Sequence, residues 1–93
     1  MRRRAATDKN QASIVESLRR IGATVVSLHA VGNGCPDLVV GYRGKNFLME
    51  VKNGSKLREK QITFLESWKG QTCVVNNIEE ALNIINEATK KNS

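Results

Sequence analysis

Three features of this chain point to a small α/β sandwich, a single mixed sheet with helices on its faces. The apolar pattern runs helix, three strands, helix, strand, helix; Arg43-Gly44-Lys45 carries hairpin chemistry; and Asn46 to Lys52 alternates with a period of two. No repeat, linker or low-complexity stretch breaks the pattern, so residues 1–93 read as one domain.

The first helix is expected from Asp8, with Gln11 three residues later in a capping-box-like relation. Ile14, Val15, Leu18 and Gly22 share a face with Gln11, Ile21 lies at its edge, and Gly22 ends the helix. Ala23 to His29 reads as a strand, since Val25 and Val26 are β-branched and no Gly or Pro interrupts them. Gly32-Asn33-Gly34 makes a flexible loop. Leu38-Val39-Val40 is a short apolar run, suited to a strand buried on both faces.

After the hairpin turn, Phe47, Met49 and Val51 point one way while Leu48, Glu50 and Lys52 point the other. Asn53-Gly54-Ser55 ends that strand. Gln61, Phe64, Leu65 and Trp68 mark a second helix closed by Gly70, with Trp68 expected as a core anchor rather than a stacking platform. Thr72 to Asn76 is the last strand. Asn77 with Glu80 caps a terminal helix carrying Ile78, Ala81, Leu82 and Ile85.

Composition narrows the class. A chain of 93 residues buries only about 60–65% of its unfolded surface, so its core is modest and a partner subunit would help. Lys and Arg number 15 against 9 Asp and Glu, a net charge of +6, which favours a polyanionic partner, nucleic acid ahead of membrane. Arg2, Arg3 and Arg4 form a basic head within residues 1–7, and Lys90-Lys91 begin the tail over 90–93; both ends are expected to be flexible. Cys35 and Cys73 match no zinc spacing and His29 is the one histidine, so two reduced thiols in a cytoplasmic protein are expected. No long apolar run follows the basic head, and neither secretion nor membrane spanning is expected.

The chemistry concentrates in Pro36-Asp37 and Glu50-Val51-Lys52. Alternation puts Glu50 and Lys52 on one strand face, and the hairpin brings Asp37 alongside. Two carboxylates and a main-chain carbonyl, that of Val51, form a hard-oxygen set that suits Mg²⁺. Such a cation lowers the pKa of bound water and offsets charge growing on a phosphodiester; Lys52 can orient the water or stabilise that charge. Taken alone, Glu-x-Lys is more often an ion pair on a sheet face, and Pro-Asp is ordinary turn vocabulary. The combination is more specific than its parts.

Pro-Asp opening one apolar strand, followed by Glu-x-Lys late in its hairpin partner, resembles the PD-(D/E)XK nuclease motif. Gly34-Cys35-Pro36-Asp37-Leu38-Val39-Val40-Gly41, Leu48-Met49-Glu50-Val51-Lys52 and Gln61-Ile62-Thr63-Phe64 together resemble the virus-type replication-repair nuclease (VRR-NUC) family, over roughly Asp8 to Ala81. That family includes phage-encoded stand-alone members and the Fanconi-anaemia-associated nuclease. The resemblance implies a restriction-endonuclease-like fold and Mg²⁺- or Mn²⁺-dependent cleavage of structured DNA such as Holliday junctions or flaps. It also implies a homodimer, and no organic cofactor is expected.

Carried across by position, the resemblance makes Asp37 and Glu50 metal ligands, Lys52 the catalytic lysine, and Gln61 a polar residue near phosphate or water. The family usually adds an acidic residue on the first helix. Here Glu16 faces solvent by helical geometry, and Gln11, an amide on the buried face, is the better candidate for that place. Arg43 and Lys45 in the hairpin turn, with Lys56, Arg58 and Lys60 after the motif strand, are candidate DNA-backbone contacts that read shape rather than sequence. A DNA-binding module with this fold but no chemistry is the alternative, and a basic factor with a protein partner ranks last.

Overall fold

The computed structural model of the chain describes residues 10–90. The expected helix start at Asp8, the basic head over 1–7 and tail residues 91–93 lie outside them. The elements are α1 (Gln11–Arg20), β1 (Thr24–Ser27), β2 (Leu38–Tyr42), β3 (Lys45–Val51), α2 (Glu59–Ser67), β4 (Thr72–Val75) and α3 (Ile78–Ala88). Their order is the one expected.

The strands form one sheet in the order β1-β2-β3-β4. β1, β2 and β3 pair antiparallel, and β3 pairs parallel with β4. A parallel neighbour needs a crossover, and α2 supplies it. β3 is thereby flanked on both sides.

One sheet face carries the core. Ile14 and Leu18 of α1, with Ala81 and Ile85 of α3, pack on Val25, Leu38, Val40, Phe47, Met49, Val51 and Val75. Burying each large aliphatic side chain contributes about 1.5–3 kcal/mol before ordering costs. Asn77 caps α3 as expected, its side chain accepting from the Glu80 N–H at 2.8 Å.

The other face is covered only in part, by α2. This corrects two expectations. Leu38 and Val40 are buried in the core, but Val39, on the second face, is only half-buried. Trp68 is no core anchor. The helical period grouped it with Phe64 and Leu65, yet the helix ends at Ser67 and Trp68 continues with extended backbone. The residue is 48% exposed, with its ring stacked on Phe64.

Candidate active site

Register builds the site. Leu38 pairs with Met49, so one further step sets Asp37 across from Glu50, on the sheet face away from the core. A second step sets Pro36 across from Val51. Proline has no N–H, so the ladder offers the Val51 carbonyl no donor there. The Val51 N–H instead donates to the Asp37 carboxylate, at 2.9 Å to Oδ2. The Pro-Asp dipeptide thus alters the strand edge: a carboxylate replaces a main-chain acceptor.

Lys52 follows β3, and its N–H still donates to the Val75 carbonyl at 2.8 Å, which holds it in strand geometry. Its Nζ lies 3.7 Å from Glu50 Oε2, with both side chains nearly enclosed. Glu50 is 3% exposed. A carboxylate that deep is costly unless it is paired and hydrogen-bonded. Gln61 supplies the hydrogen bond, its Nε2 donating to Glu50 Oε2 at 3.0 Å.

Gln61 is held in turn from its other end. Its Oε1 accepts from the Arg58 N–H at 2.8 Å, satisfying an N-terminal amide of α2. Gly34 fits the same seam. Its φ is +82°, and a side chain there would collide with the Lys60 carbonyl and lie 3.1 Å from the Gln61 nitrogen. Only glycine lets the loop approach α2 this closely.

The negative field of the site registers on a neighbour. The Cys35 thiol is pushed above its ordinary pKa, first by burial and then by the charges of Glu50 and Asp37. Both carboxylates therefore bear on one small region, where a cation would be welcome. Among the described residues no three His, Cys, Asp or Glu groups cluster for a metal. A Mg²⁺-type ion needs only one or two carboxylates plus carbonyl and water, and Asp37, Glu50 and the Val51 carbonyl fit that hard-oxygen set.

The first helix contributes differently from expectation. Gln11 is half-buried and lines a surface groove with Ala12, Val15, Glu16, Arg19 and Ser27. Its neighbour Asn10 is the residue that reaches the end of β3. Asn10 Nδ2 donates to the Lys52 carbonyl at 3.1 Å and to the Asn76 carbonyl at 2.7 Å, fastening the start of α1 to the site. Glu16 is exposed and paired with Arg20 at 2.9 Å, as a surface charge would be.

The candidate DNA contacts divide into two groups. Lys56, Arg58 and Lys60 are exposed on the segment that leads from the site into α2. Arg43 and Lys45 sit at the opposite end of the β2–β3 hairpin, Arg43 over the Tyr42 ring at 4.9 Å. Lys45 and Glu50 are five steps apart along the strand, about 16 Å at roughly 3.3 Å each. These two cations stand apart from the carboxylates.

A mixed sheet with Asp37, Glu50 and Lys52 converging at the end of a central strand defines a nuclease-fold domain of the PD-(D/E)XK type. The solved structure of a "VRR_NUC domain" superimposes with a TM-score of 0.66 and 25% identity, over 83% of this chain and 90% of that one. No family model and no curated protein matches the chain. Motif and superposition agree in their likeness to the VRR-NUC family, and the superposition supports a nuclease fold. Among the described residues no helix is long and apolar enough to cross a membrane.

Proposed function

We propose that the chain is a divalent-metal-dependent endonuclease that hydrolyses phosphodiester bonds in structured DNA, with Asp37, Glu50 and Lys52 as its reactive centre. The observation that carries this reading is the buried Glu50–Lys52 pair, set beside the Val51–Asp37 contact at the end of one strand. Buried charge is a poor source of stability, so its presence at the end of the strand calls for a chemical reason.

Asp37, Glu50 and the Val51 carbonyl would hold Mg²⁺ or Mn²⁺, which supplies Lewis acidity and a more acidic water when bound. The protein's own groups do the rest. Lys52 places a positive charge where negative charge grows on the phosphate, in surroundings that screen it little. Gln61 fixes the carboxylate of Glu50 through its amide, and Asn10 steadies the backbone of Lys52. Lys56, Arg58 and Lys60 bind phosphates beside the centre, while Arg43 and Lys45 grip a more distant stretch of backbone. Pairing two copies would present two centres, which suits symmetric cuts across a junction.

The test is Mg²⁺-dependent nicking of four-way junction, flap and duplex DNA by wild type, Glu50→Ala and Lys52→Ala. Both variants are expected to lose activity by a factor on the order of 10³ or more, with DNA retention in EDTA unchanged. Comparable nicking by either variant and the wild type would defeat the reading. A binding-only module is favoured by the missing first-helix carboxylate, since Gln11 lines a separate groove with Ala12 and Val15 and Glu16 faces solvent. Calorimetric titration with Mn²⁺ decides between them: heat that vanishes in Asp37→Ala and Glu50→Ala supports the enzyme.

A further inference from the structure

Phe64 lies on the helix that delivers Gln61 to Glu50 and Trp68 directly follows its last residue, yet neither belongs to the hydrophobic core. Their rings stack with centroids 5.3 Å apart and 12° between planes. Phe64 covers one face of the indole, so much of the exposed Trp68 surface lies on the opposite face and edge. Core packing therefore does not account for the pair.

Phe64 also lines a groove with Asn33, Lys60, Thr63, Ser67 and Glu59, between the 32–34 loop and one flank of α2. That loop is the one whose Gly34 abuts the Lys60 carbonyl and the Gln61 nitrogen, so the groove borders the seam that holds Gln61. Trp68 lies seven residues from Gln61, about 10 Å along a helix at roughly 1.5 Å per residue. The surroundings are cationic on balance. Lys56, Arg58, Lys60 and Lys69 stand against Glu59 and Glu66 along this segment.

An open aromatic face beside phosphate-binding cations takes an unpaired base, because every base has a π-face and only an unstacked one can present it. Duplex DNA keeps its bases inside and offers the ring nothing. Resting on the nuclease reading above, we propose that the Trp68–Phe64 platform and its groove hold unpaired nucleotides of a strand whose phosphodiester lies at Glu50. The enzyme would thereby favour DNA with a single-stranded arm or branch over continuous duplex.

Trp68 is the only tryptophan, so intrinsic fluorescence reports this position alone. Metal-free wild type in EDTA is titrated with a thymidine oligonucleotide and, separately, with a blunt duplex. Quenching of Trp68 emission by the oligonucleotide and little change with duplex is the expected result. Trp68→Ala is expected to weaken oligonucleotide binding about tenfold, with duplex affinity held within about twofold, and Trp68→Phe to keep most of the affinity. Quenching that is equal for both DNAs, or absent, overturns the proposal. So does an emission shift that follows protein concentration without DNA, which would assign the platform to a second copy of the chain. The wild-type titration needs no variant to fold. Glu50→Ala should still be quenched, so loss of nicking and loss of stacking are separable outcomes.

Discussion

The side-chain amide of Gln61 donates to the Glu50 carboxylate across 3.0 Å while its carbonyl oxygen takes the Arg58 N–H at 2.8 Å. One glutamine thus couples the start of α2 to a buried charge on β3. Both of its functional groups are committed, and reversing the amide would break both bonds.

Gln61→Ala should therefore affect the centre without removing a reacting group. Supporting partners of ligand carboxylates typically matter by about 10–100-fold in metal affinity or activity, and that range is expected here. Stability should fall by roughly 1–3 kcal/mol, because Glu50 loses a buried partner. Gln61→Glu should be worse than Gln61→Ala for Mn²⁺ binding if the carboxylate crowds Glu50 without donating to it. Calorimetry and urea midpoints on the two variants provide the check.

Gly34 and Gly44 make a matched pair of glycines. Both have positive φ, +82° and +81°, but a Cβ on Gly44 meets nothing within 4 Å, whereas one on Gly34 strikes α2 backbone. Gly44→Ala should cost only the backbone strain, about 1 kcal/mol. Gly34→Ala should cost at least about 2 kcal/mol and also lower nicking, since α2 must move and Gln61 moves with it. Equal costs for the two substitutions, measured by urea denaturation, would refute the close approach as a constraint.

Alkaline stability should depend on Cys73. Burial raises its thiol pKa from 9.0 to about 11, so the folded chain keeps a proton that the unfolded chain gives up. The contribution is fully present below pH 9 and is lost as pH rises toward about 11. Cys73→Ala should flatten the fall of the urea midpoint across that window. Parallel curves for wild type and variant would contradict the assignment.

Much of the site was legible because strand geometry has a period of two. Phe47, Met49 and Val51 enter the core as expected, and that alone places Glu50 and Lys52 together on the other face. The hairpin turn then fixes Asp37 across from Glu50. Asn10 could not be found this way. Its partners are main-chain carbonyls 42 and 66 residues distant, and such bonds leave no periodic trace. Gln11 drew attention because it shares a face with Ile14 and Leu18, a rule that says nothing about which strand end the helix meets. Arg43 and Lys45 fell between two site motifs in sequence, yet an extended hairpin carries its turn away from the ends of its strands. Trp68 was misplaced because helical period was extended one residue past the helix.

The central position of β3 bears on how this centre withstands thermal agitation. A ribbon laced to neighbours along both margins opens only when the sheet itself opens, whereas α2 and the 32–34 loop can lift away locally at lower cost. Asp37 and Glu50 would then keep their spacing through transient excursions in which Gln61 and the aromatic pair let go. On the nuclease function proposed above, grip on the polymer would fluctuate from turnover to turnover while the cutting groups stay in register.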